Sequence, residues 1–545
     1  MTDAKIDIPF EEVTLEQDGV YLEDEKFGTM KVSEPIWIKS CERNIDNDEM
    51  TATIMCKNLG RENKIIAKRD EYLDPRILLS YQKVGFDVNI FNKNTIVKHL
   101  INEEKIMKID QVHSQLGFGE HEGKIIYKAH NSIGIDSTYR GSFDINPKGN
   151  KDVWLTMLED EVLGNVSLEL ICSVSLTSIL LGFIGEKYSL ETIIVHLVGN
   201  STTGKSTALR LAISIFGSVK LGNNSLLSTY NTTHNAMMKK LGGTKGVTFA
   251  FDEISISNIV NFTQTIYTLS QGVDKARLNK NSEQKEQESW LGTILSNGEK
   301  SLLNLANKNA GIQMRVIEIE DISWTSSAEN AEEINKIVAS NNGHIAIEIA
   351  QYMMELGKEE VSKRYEKNVE MIKKVMTNNN LEDEFTGRRS NKLATIITTA
   401  KIFEEYLCKQ LEKEIKLDTK GMVKILLDVE KESIKYRNLD KSALEHIRQY
   451  IIDNQHKFEK SWSEKPKGQI IGKLTKKKDY LELQMTESKF EEMLKEGGYE
   501  SKKVVLRELR NKGILDCDSD RLTRKRMTDV GKIPVIVVKL PRKES

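Results

Sequence analysis

The sequence is poor in cysteine and carries almost no net charge. Its five cysteines are scattered over 545 residues without a CxxC pair, which predicts neither a disulfide framework nor a zinc site and fits a reducing compartment. The formal net charge of −2 excludes a general electrostatic attraction to nucleic acid, so any such affinity has to come from local patches. We find no internal repeat and no low-complexity tract.

The sequence also has almost no hydrophobic run long enough to span a membrane. Residues 1–13 carry acids and no apolar core, so we expect no secretory signal there. Residues 166–185 have the length of a membrane span, but they include Glu169 and several serines and threonines and lead directly into a predicted strand. A buried helix is the favoured interpretation. We predict a cytoplasmic protein without membrane contact.

A phosphate loop is the clearest motif of the chain. Residues 199–206 read GNSTTGKS, a complete GxxxxGK[ST] pattern between an apolar run at 192–198 and a helical pattern that ends near Gly217. Backbone N–H groups of such a loop face phosphates, Lys205 reaches the outer phosphates, and the Ser206 hydroxyl holds Mg²⁺. We predict a nucleoside triphosphate site made of Gly199, Asn200, Ser201, Thr202, Thr203, Gly204, Lys205, Ser206 and Thr207.

Two later apolar runs end in polar residues suited to hydrolysis. Residues 247–251 lead into Asp252 and Glu253, far enough from the loop for a helical crossover to a parallel strand. We predict that Asp252 anchors Mg²⁺ and that Glu253 polarises the attacking water. Residues 290–296 end at Asn297, which would orient that water if its strand lies between the other two. The alternative is a turn or capping asparagine.

Arg315 begins an otherwise apolar strand within residues 311–319, an unusual position for a guanidinium. If subunits form a ring, it would reach the γ-phosphate bound by a neighbour as an arginine finger. A local salt bridge to Glu318 or Glu320 is the alternative. In the helical region, Arg389 of the pair Arg388–Arg389 is a candidate second sensor that contacts the nucleotide when a lid closes. An arginine pair near a helix start is otherwise an ordinary surface feature.

A basic segment separates the acidic run from the Asn297 run. Lys275 and Arg277 alternate along a possible strand, and residues 279–282 favour a turn. A hairpin here would project into a ring's central channel, where Lys280 at its tip would contact DNA phosphates without reading sequence. A solvated charged loop is the alternative.

The last part of the chain is locally basic. Residues 465–545 contain 21 Lys plus Arg against 13 Asp plus Glu, a balance of +8. Helical patterns at 488–496 and 501–512 flank a Gly-Gly turn, and a strand pair ends at 533–540, which is the outline of a winged helix. Such a unit binds DNA or docks on protein. The basic candidates for DNA contact are Lys502, Lys503, Arg507, Arg510, Arg521, Arg524, Lys525 and Arg526.

The order of these motifs resembles the AAA+ ATPases of the helicase branch that includes MCM proteins. Residues 116–119, 272–277 and 295–299 carry a narrower likeness to mobile-element and phage ATPases long grouped as a domain of unknown function. Among these, the chain is similar to the MCM-like replicative helicases of staphylococcal SCC mobile elements. The likeness extends over about residues 80–405.

Pattern and resemblance together predict a multidomain α/β protein with an AAA+ P-loop ATPase core. We expect a β-rich N-terminal accessory or DNA-interaction domain at 1–150, the ATPase core at 151–325, a helical lid and linker at 326–440, and a C-terminal winged helix at 441–545.

The resemblance implies a homo-hexamer that uses ATP and Mg²⁺, moves along single-stranded DNA and unwinds forked duplex with 3′-to-5′ polarity. Such a helicase would help to replicate an excised element with element-encoded proteins such as a primase, a polymerase or a single-strand-binding protein. An ATP-switched DNA-binding initiator or loader that hydrolyses ATP without unwinding remains the alternative.

Overall fold

The structure, a computed structural model, describes residues 8–278, 284–285, 287–306, 310–437, 439–463, 468–499, 501–528 and 531–541. The chain divides into two units, residues 1–142 and 143–545. Both units combine sheets and helices, which confirms a multidomain α/β protein. The finer division into four domains stays a prediction.

The first unit is rich in strands, as expected. Its elements are β1 (Val13–Glu16), β2 (Gly19–Asp24), β3 (Gly28–Ser33), β4 (Ile36–Asn44), β5 (Met50–Asn58), β6 (Arg61–Lys68), α1 (Arg69–Tyr72), α2 (Pro75–Leu78), α3 (Lys93–Ile106), β7 (Ile109–His113), β8 (Leu116–His121), β9 (Lys124–Lys128), β10 (Ser132–Ile133) and β11 (Thr138–Tyr139).

Alternating side chains explain the first unit's main sheet. In β5, Ala52, Ile54 and Cys56 are buried while their neighbours are more exposed, the period of two typical of a strand covered on one face. The sheet runs in the order β11-β7-β4-β5-β6, and β1-β2-β3 form a separate antiparallel sheet. Strands β8 and β9 form an antiparallel hairpin, in which Gly117 pairs with Lys128.

The second unit begins with a mixed α/β region followed by helices. Its elements are α4 (Lys151–Met157), α5 (Val166–Ile184), β12 (Ile193–Val198), α6 (Lys205–Ser214), β13 (Leu227–Thr229), α7 (His234–Leu241), β14 (Thr244–Asp252), α8 (Phe262–Gln271), β15 (Arg277–Leu278), β16 (Gln284–Lys285), β17 (Trp290–Gly298), α9 (Leu302–Leu305), α10 (Ala310–Gln313), β18 (Val316–Ile319), α11 (Ala328–Ser340), α12 (Ile345–Leu356), α13 (Lys358–Asn378), α14 (Thr386–Leu411) and α15 (Thr419–Arg437).

A parallel arrangement of strands organises this region. The strands β13-β14-β17-β12-β18 pair side by side, and every pairing among them is parallel. β12 and β17 are buried along nearly their whole length, as expected for parallel strands covered on both faces. β17, which carries Asn297, lies between β12 and β14, so the condition set for the role of Asn297 is met.

The apolar helix α5 packs inside the protein. Within the described residues, it is the single helix long and apolar enough to cross a membrane, and its apolar window is completely buried in the fold. Ser175 of this helix donates from its hydroxyl to the carbonyl of Ala212 at 2.7 Å, and its own carbonyl accepts from the Thr248 hydroxyl of β14 at 2.6 Å. The buried-helix interpretation of residues 166–185 is therefore confirmed.

Apolar stripes along two helices of the second unit are packing faces. Ile345, Ile349 and Met353 are buried along α12, and the stripe at 393–403 is buried along α14. Both helices therefore contribute to the core of the second unit, and their stripes follow the helical period.

The chain ends in a smaller assembly with its own hydrophobic cluster. Its sheet has the order β19-β20-β21-β23-β22. The two helices expected on either side of a Gly-Gly turn are confirmed, whereas the three strands before them and the helix at 439–453 were not predicted. The elements are α16 (Leu439–Asp453), β19 (Phe458–Lys460), β20 (Gly472–Lys476), β21 (Tyr480–Met485), α17 (Glu487–Glu496), α18 (Lys502–Asn511), β22 (Arg524–Thr528) and β23 (Gly531–Pro541).

Candidate active site

The phosphate-loop sequence forms the turn between the buried strand β12 and helix α6, which begins at Lys205. Gly204 has a φ of +82°, a conformation that favours glycine. A Cβ at Gly204 would lie 2.5 Å from Oγ1 of Thr325 and 2.9 Å from its backbone nitrogen. The Trp324 N–H donates to the Thr203 carbonyl at 2.9 Å. The segment before α11 therefore packs directly on the loop.

The Lys205 ammonium lies inside this loop. The residue is 8% exposed, and its Nζ donates to the carbonyls of Gly199 at 2.8 Å and Asn200 at 2.6 Å. Burial lowers the pKa of Lys205 below its usual value, while the charges of Glu299, Glu253 and Asp252 oppose this shift. A buried ammonium that donates to neutral carbonyls gains interaction energy when phosphate oxygens replace them.

Ser206, Asp252 and Asn297 meet where β12, β14 and β17 end. The Ser206 Oγ donates to Asp252 Oδ1 at 3.0 Å, and the Asn297 amide donates to the same oxygen at 2.6 Å. Mg²⁺ binds through one or two carboxylates, with phosphate and water oxygens completing the shell. The described residues hold no cluster of three or more His, Cys, Asp and Glu that would bind a metal alone. The hydroxyl and carboxylate present here fit Mg²⁺ bound together with a nucleotide.

Asn297 also fixes the backbone of the predicted catalytic glutamate. Its Oδ1 accepts the Glu253 N–H at 2.7 Å, while its Nδ2 contacts Asp252. Glu253 has a φ of +61°, which costs on the order of 1–3 kcal/mol for a non-glycine residue and is typical of functional sites. Asn297 lies within β17 and bridges the two acids, so the alternative interpretation as a turn or capping residue is wrong.

A cavity of about 610 Å³ opens beside the loop. Glu253 and Asn297 line it, as do residues that the sequence interpretation missed: Glu299, Ser323, Thr325, Ser326, Ser327, Ala328 and Ala331. Ser201 donates to Glu299 Oε1 at 2.5 Å. Two features of the sequence could have pointed to residues of this lining. Glu299 lies two positions after Asn297, and Ser327 has the character of an N-cap before the amphipathic helix α11.

Arg315 lies toward the other edge of the same sheet. Val316 pairs with Ile194 near the start of β12, whereas the phosphate loop follows the end of that strand. Strands rise about 3.3 Å per residue, so roughly 15 Å of β12 separates the two positions. The Arg315 guanidinium therefore cannot reach the phosphate loop of its own chain.

Arg315 lies just before the strand that it was predicted to begin. The strand begins at Val316, so Arg315 belongs to the preceding turn. The centre of its guanidinium lies 4.2 Å from the centroid of the Tyr267 ring, and Nη1 donates to the Gly311 carbonyl at 2.7 Å. Burial lowers the pKa of Arg315, and the charge of Glu191 opposes this shift.

The alternative local salt bridge is not formed. Glu318 accepts instead from the Ser301 hydroxyl at 2.5 Å and from the Leu303 N–H at 3.1 Å. Burial raises the pKa of Glu318 to about 7, and the neighbouring Glu320 adds to this shift. Within the part of the chain that the structure describes, no ion pair joins Arg315 to either acid.

Arg389 lies away from the phosphate loop in this structure. The residue is 1% exposed, forms an ion pair with the equally buried Glu430, and donates to the Gln313 carbonyl at 3.2 Å. Gln313 precedes β18, so Arg389 lies on the Arg315 side of the sheet. Arg388 is more exposed and pairs with Glu191. The sensor role of Arg389 on closure of the lid stays a prediction.

The basic segment between β14 and β17 forms the predicted hairpin backbone. β15 and β16 pair antiparallel, with Arg277 opposite Lys285, and the Asp274 N–H donates to the Glu288 carbonyl at its base at 2.9 Å. Lys275 is exposed. Lys280 lies outside the described residues, so its position at the tip stays a prediction, as does DNA contact by all three basic residues.

Ion pairs occupy part of the basic surface in the C-terminal assembly. Lys502 pairs with Glu487, and Arg524 and Arg526 both pair with Asp516. Lys503 and Arg507 lie exposed on α18. These two are therefore the better candidates of the helix for contacting DNA phosphates.

Comparison with known proteins shows the family. Residues 12–289, more than half of the chain, match the family described as "Domain of unknown function (DUF927)". The chain belongs to the DUF927 family. Residues 438–543 of this DUF927 protein match the Cch helix turn helix domain, which coincides with the region from α16 to β23. No curated protein matches the chain.

The DUF927 protein also shares its fold with a solved structure, that of SCCmec type IV Cch, described as an active helicase. The two match over 99% of this chain and 98% of the other, with a TM-score of 0.77 and 24% sequence identity. The resemblance inferred from the ATPase motifs is thus confirmed. A helix–turn–helix is supported in the region predicted as a winged helix.

Proposed function

We propose that this protein is an ATP-dependent DNA helicase whose AAA+ subunits assemble into a homo-hexameric ring. The observation that carries the proposal is the separation of two sets of residues on one parallel sheet. Lys205, Ser206, Asp252 and Asn297 converge at one edge, and Arg315 lies toward the other. The fold shared with SCCmec type IV Cch supports the proposal.

The residues at the loop divide the work of ATP hydrolysis. Lys205 exchanges its carbonyl contacts for the outer phosphates, while Ser206 and Asp252 would hold Mg²⁺. The ion, when bound, neutralises charge that develops on the phosphates. Glu253 accepts a proton from the attacking water. Asn297 orients that water, because its amide lies between the Asp252 carboxylate and the backbone N–H of Glu253.

A neighbouring subunit completes the site. Arg315 is about 15 Å of strand away from its own loop, yet it is half-buried and stacked on Tyr267 rather than mobile in solvent. In a ring, this pre-oriented guanidinium approaches the γ-phosphate bound by the adjacent subunit and acts as an arginine finger. Such a finger raises the rate of hydrolysis by about 10³- to 10⁵-fold.

DNA passes through the ring on the basic hairpin. Lys275 and Arg277, with Lys280 toward the turn, contact phosphates of single-stranded DNA without reading sequence. We propose 3′-to-5′ movement on forked duplex and a role in the replication of a mobile genetic element. Element-encoded partners would include a primase, a polymerase or a single-strand-binding protein, and we expect the complex in the cytoplasm.

Strand separation on a forked duplex tests the proposal. The wild type with ATP and Mg²⁺ should release the labelled strand, and Lys205→Ala should release none because it cannot bind the phosphates. Lys220→Ala, which changes an exposed lysine outside the site, should match the wild type. A wild type that does not separate the strands, whether or not it hydrolyses ATP, would refute the helicase proposal.

An ATP-switched initiator or loader is the second candidate. The helix–turn–helix match at 438–543 favours it, because duplex binding by such a domain and an ATPase site suffice for that role. The same assay separates the two: an initiator or loader hydrolyses ATP and binds duplex DNA but leaves the fork intact.

A further inference from the structure

An exposed tryptophan lies at one edge of the C-terminal sheet, directly after β19. Trp462 is 41% exposed, although tryptophan is highly buried on average. The segment that carries it is held in position, because the Ser461 N–H donates to the Leu474 carbonyl of β20 at 3.0 Å. The indole is therefore presented at the surface by a fixed backbone.

A lysine packs against this indole, and two more follow it in the chain. The Nζ of Lys476, the last residue of β20, lies 4.4 Å from the centroid of the Trp462 ring. The turn to β21 continues with Lys477 and Lys478, both exposed, before the single acid Asp479. We call Trp462, Lys476, Lys477 and Lys478 the Trp462 surface. Because the chain as a whole has a net charge of −2, such a local excess of positive charge is where an anion would be attracted.

The Trp462 surface is separate from the basic strand β22. In the sheet order β19-β20-β21-β23-β22, strands β21 and β23 lie between β20 and the arginine-bearing strand β22. It also differs in chemistry from the exposed basic residues of α18, Lys503 and Arg507, which offer charge from a helix without an aromatic ring beside them in sequence. Two different modes of DNA contact are therefore available in one assembly.

We propose that the Trp462 surface binds single-stranded DNA. An exposed indole stacks on an unpaired base, whose faces are free, whereas duplex DNA covers the faces of its bases. Lysines at the same site contact the flanking phosphates without sequence preference. Lys476 joins both functions, since it contacts the ring and carries the charge. The inference rests on the proposed helicase function and adds a single-strand contact that is separate from the 275–280 hairpin.

Tryptophan fluorescence of the full-length protein isolates this surface. Trp154 and Trp324 are almost completely buried and Trp290 is 5% exposed, whereas Trp37 on β4 is partly exposed. The part of the quenching that Trp462→Phe removes therefore reports on Trp462. A dT 20-mer should quench the wild type, and Trp462→Phe should abolish most of that quenching. An abasic oligonucleotide of the same length should leave the wild-type emission nearly unchanged, because it offers no base to stack.

Binding of a labelled dT 20-mer, followed by anisotropy, gives the size of the effect. Trp462→Ala should raise the Kd about fivefold or more, and Trp462→Phe should raise it less, because an aromatic ring remains. Replacing Lys476, Lys477 and Lys478 together by alanine should weaken binding and reduce its salt dependence. The matched control, Lys503→Ala with Arg507→Ala on α18, should weaken duplex binding and leave the quenching intact.

Equal affinity of wild type and Trp462→Ala for the dT 20-mer would overturn the inference, and so would equal quenching by duplex or abasic DNA. If those results occur while the wild type binds the dT 20-mer and separates forks, the helicase proposal stands and the Trp462 surface alone is refuted. If the wild type does not bind the dT 20-mer with ATP present, both proposals fail.

Discussion

Replacing Arg315 by alanine removes a guanidinium that lies roughly 15 Å of strand from the phosphate loop of the same chain. ATP affinity should remain at the wild-type level, because the predicted phosphate contacts come from residues 199–207. Hydrolysis should fall by about 10³- to 10⁵-fold, because the finger acts in the transition state. Arg315→Lys should restore little, because a lysine ammonium lacks the planar fork that contacts two phosphate oxygens.

The separation of Arg315 from its own loop also predicts the result of mixing two inactive variants. Arg315→Ala subunits keep Lys205, and Lys205→Ala subunits keep Arg315. In rings assembled at random from equal amounts, a site works when its own subunit has Lys205 and its neighbour has Arg315. Each condition holds for half of the subunits, so about a quarter of the sites should regain activity.

Steady-state phosphate release measures this restoration. Each variant alone provides the baseline. A mixture of wild type with the Lys220→Ala variant shows whether mixing by itself changes the rate of hydrolysis. If mixing restores no activity in rings shown to contain both variants, Arg315 does not act across a subunit interface. A fully active monomeric wild type would refute the reasoning as well.

Four further changes have defined outcomes. Gly204→Ala should abolish ATP binding in a fluorescent-nucleotide titration, because its Cβ would meet Thr325 in a left-handed backbone. Asn297→Ala should bind ATP but hydrolyse it about 10²-fold more slowly in single-turnover assays. Lys280→Ala should keep basal ATP hydrolysis and lose its stimulation by single-stranded DNA; unchanged stimulation would count against the channel hairpin. Burial holds the pKa of His196 at about 4, below its usual 6.5. At a pH above 6.5 the neutral ring makes its full contribution to stability, and this contribution is lost as the pH falls from 6.5 toward 4 because the unfolded chain then binds a proton that the folded protein does not. When the pH is lowered from about 7 to about 5, the free energy of unfolding measured with urea should fall by about 2 kcal/mol less in His196→Gln than in the wild type.

The centre of the candidate site was predictable because its signals are local. The phosphate loop has its strand before it and its helix after it, and the acids at 252–253 end a buried strand. Parallel strands bring their carboxyl ends to one edge, so Asn297 had to meet Asp252 once β17 lay between β12 and β14.

Other residues depended on tertiary contacts that no local pattern reports. The sequence suggested that Arg389 is available to contact a nucleotide, but its side chain is buried and pairs with Glu430 on another helix. Thr325 belongs to a loop far along the chain that packs on the phosphate loop. Strand β20 was missed because two of its five residues are lysines, which disfavours a strand prediction.

Strand separation on singly tailed duplexes tests the helicase proposal most directly. With ATP and Mg²⁺, the wild type should separate a duplex that carries a 3′ single-stranded tail, leave a duplex with only a 5′ tail intact, and lose this activity with Lys205→Ala or Arg315→Ala. Robust ATP hydrolysis without separation of either substrate, or separation that persists in the Lys205→Ala variant, would contradict an ATP-driven helicase.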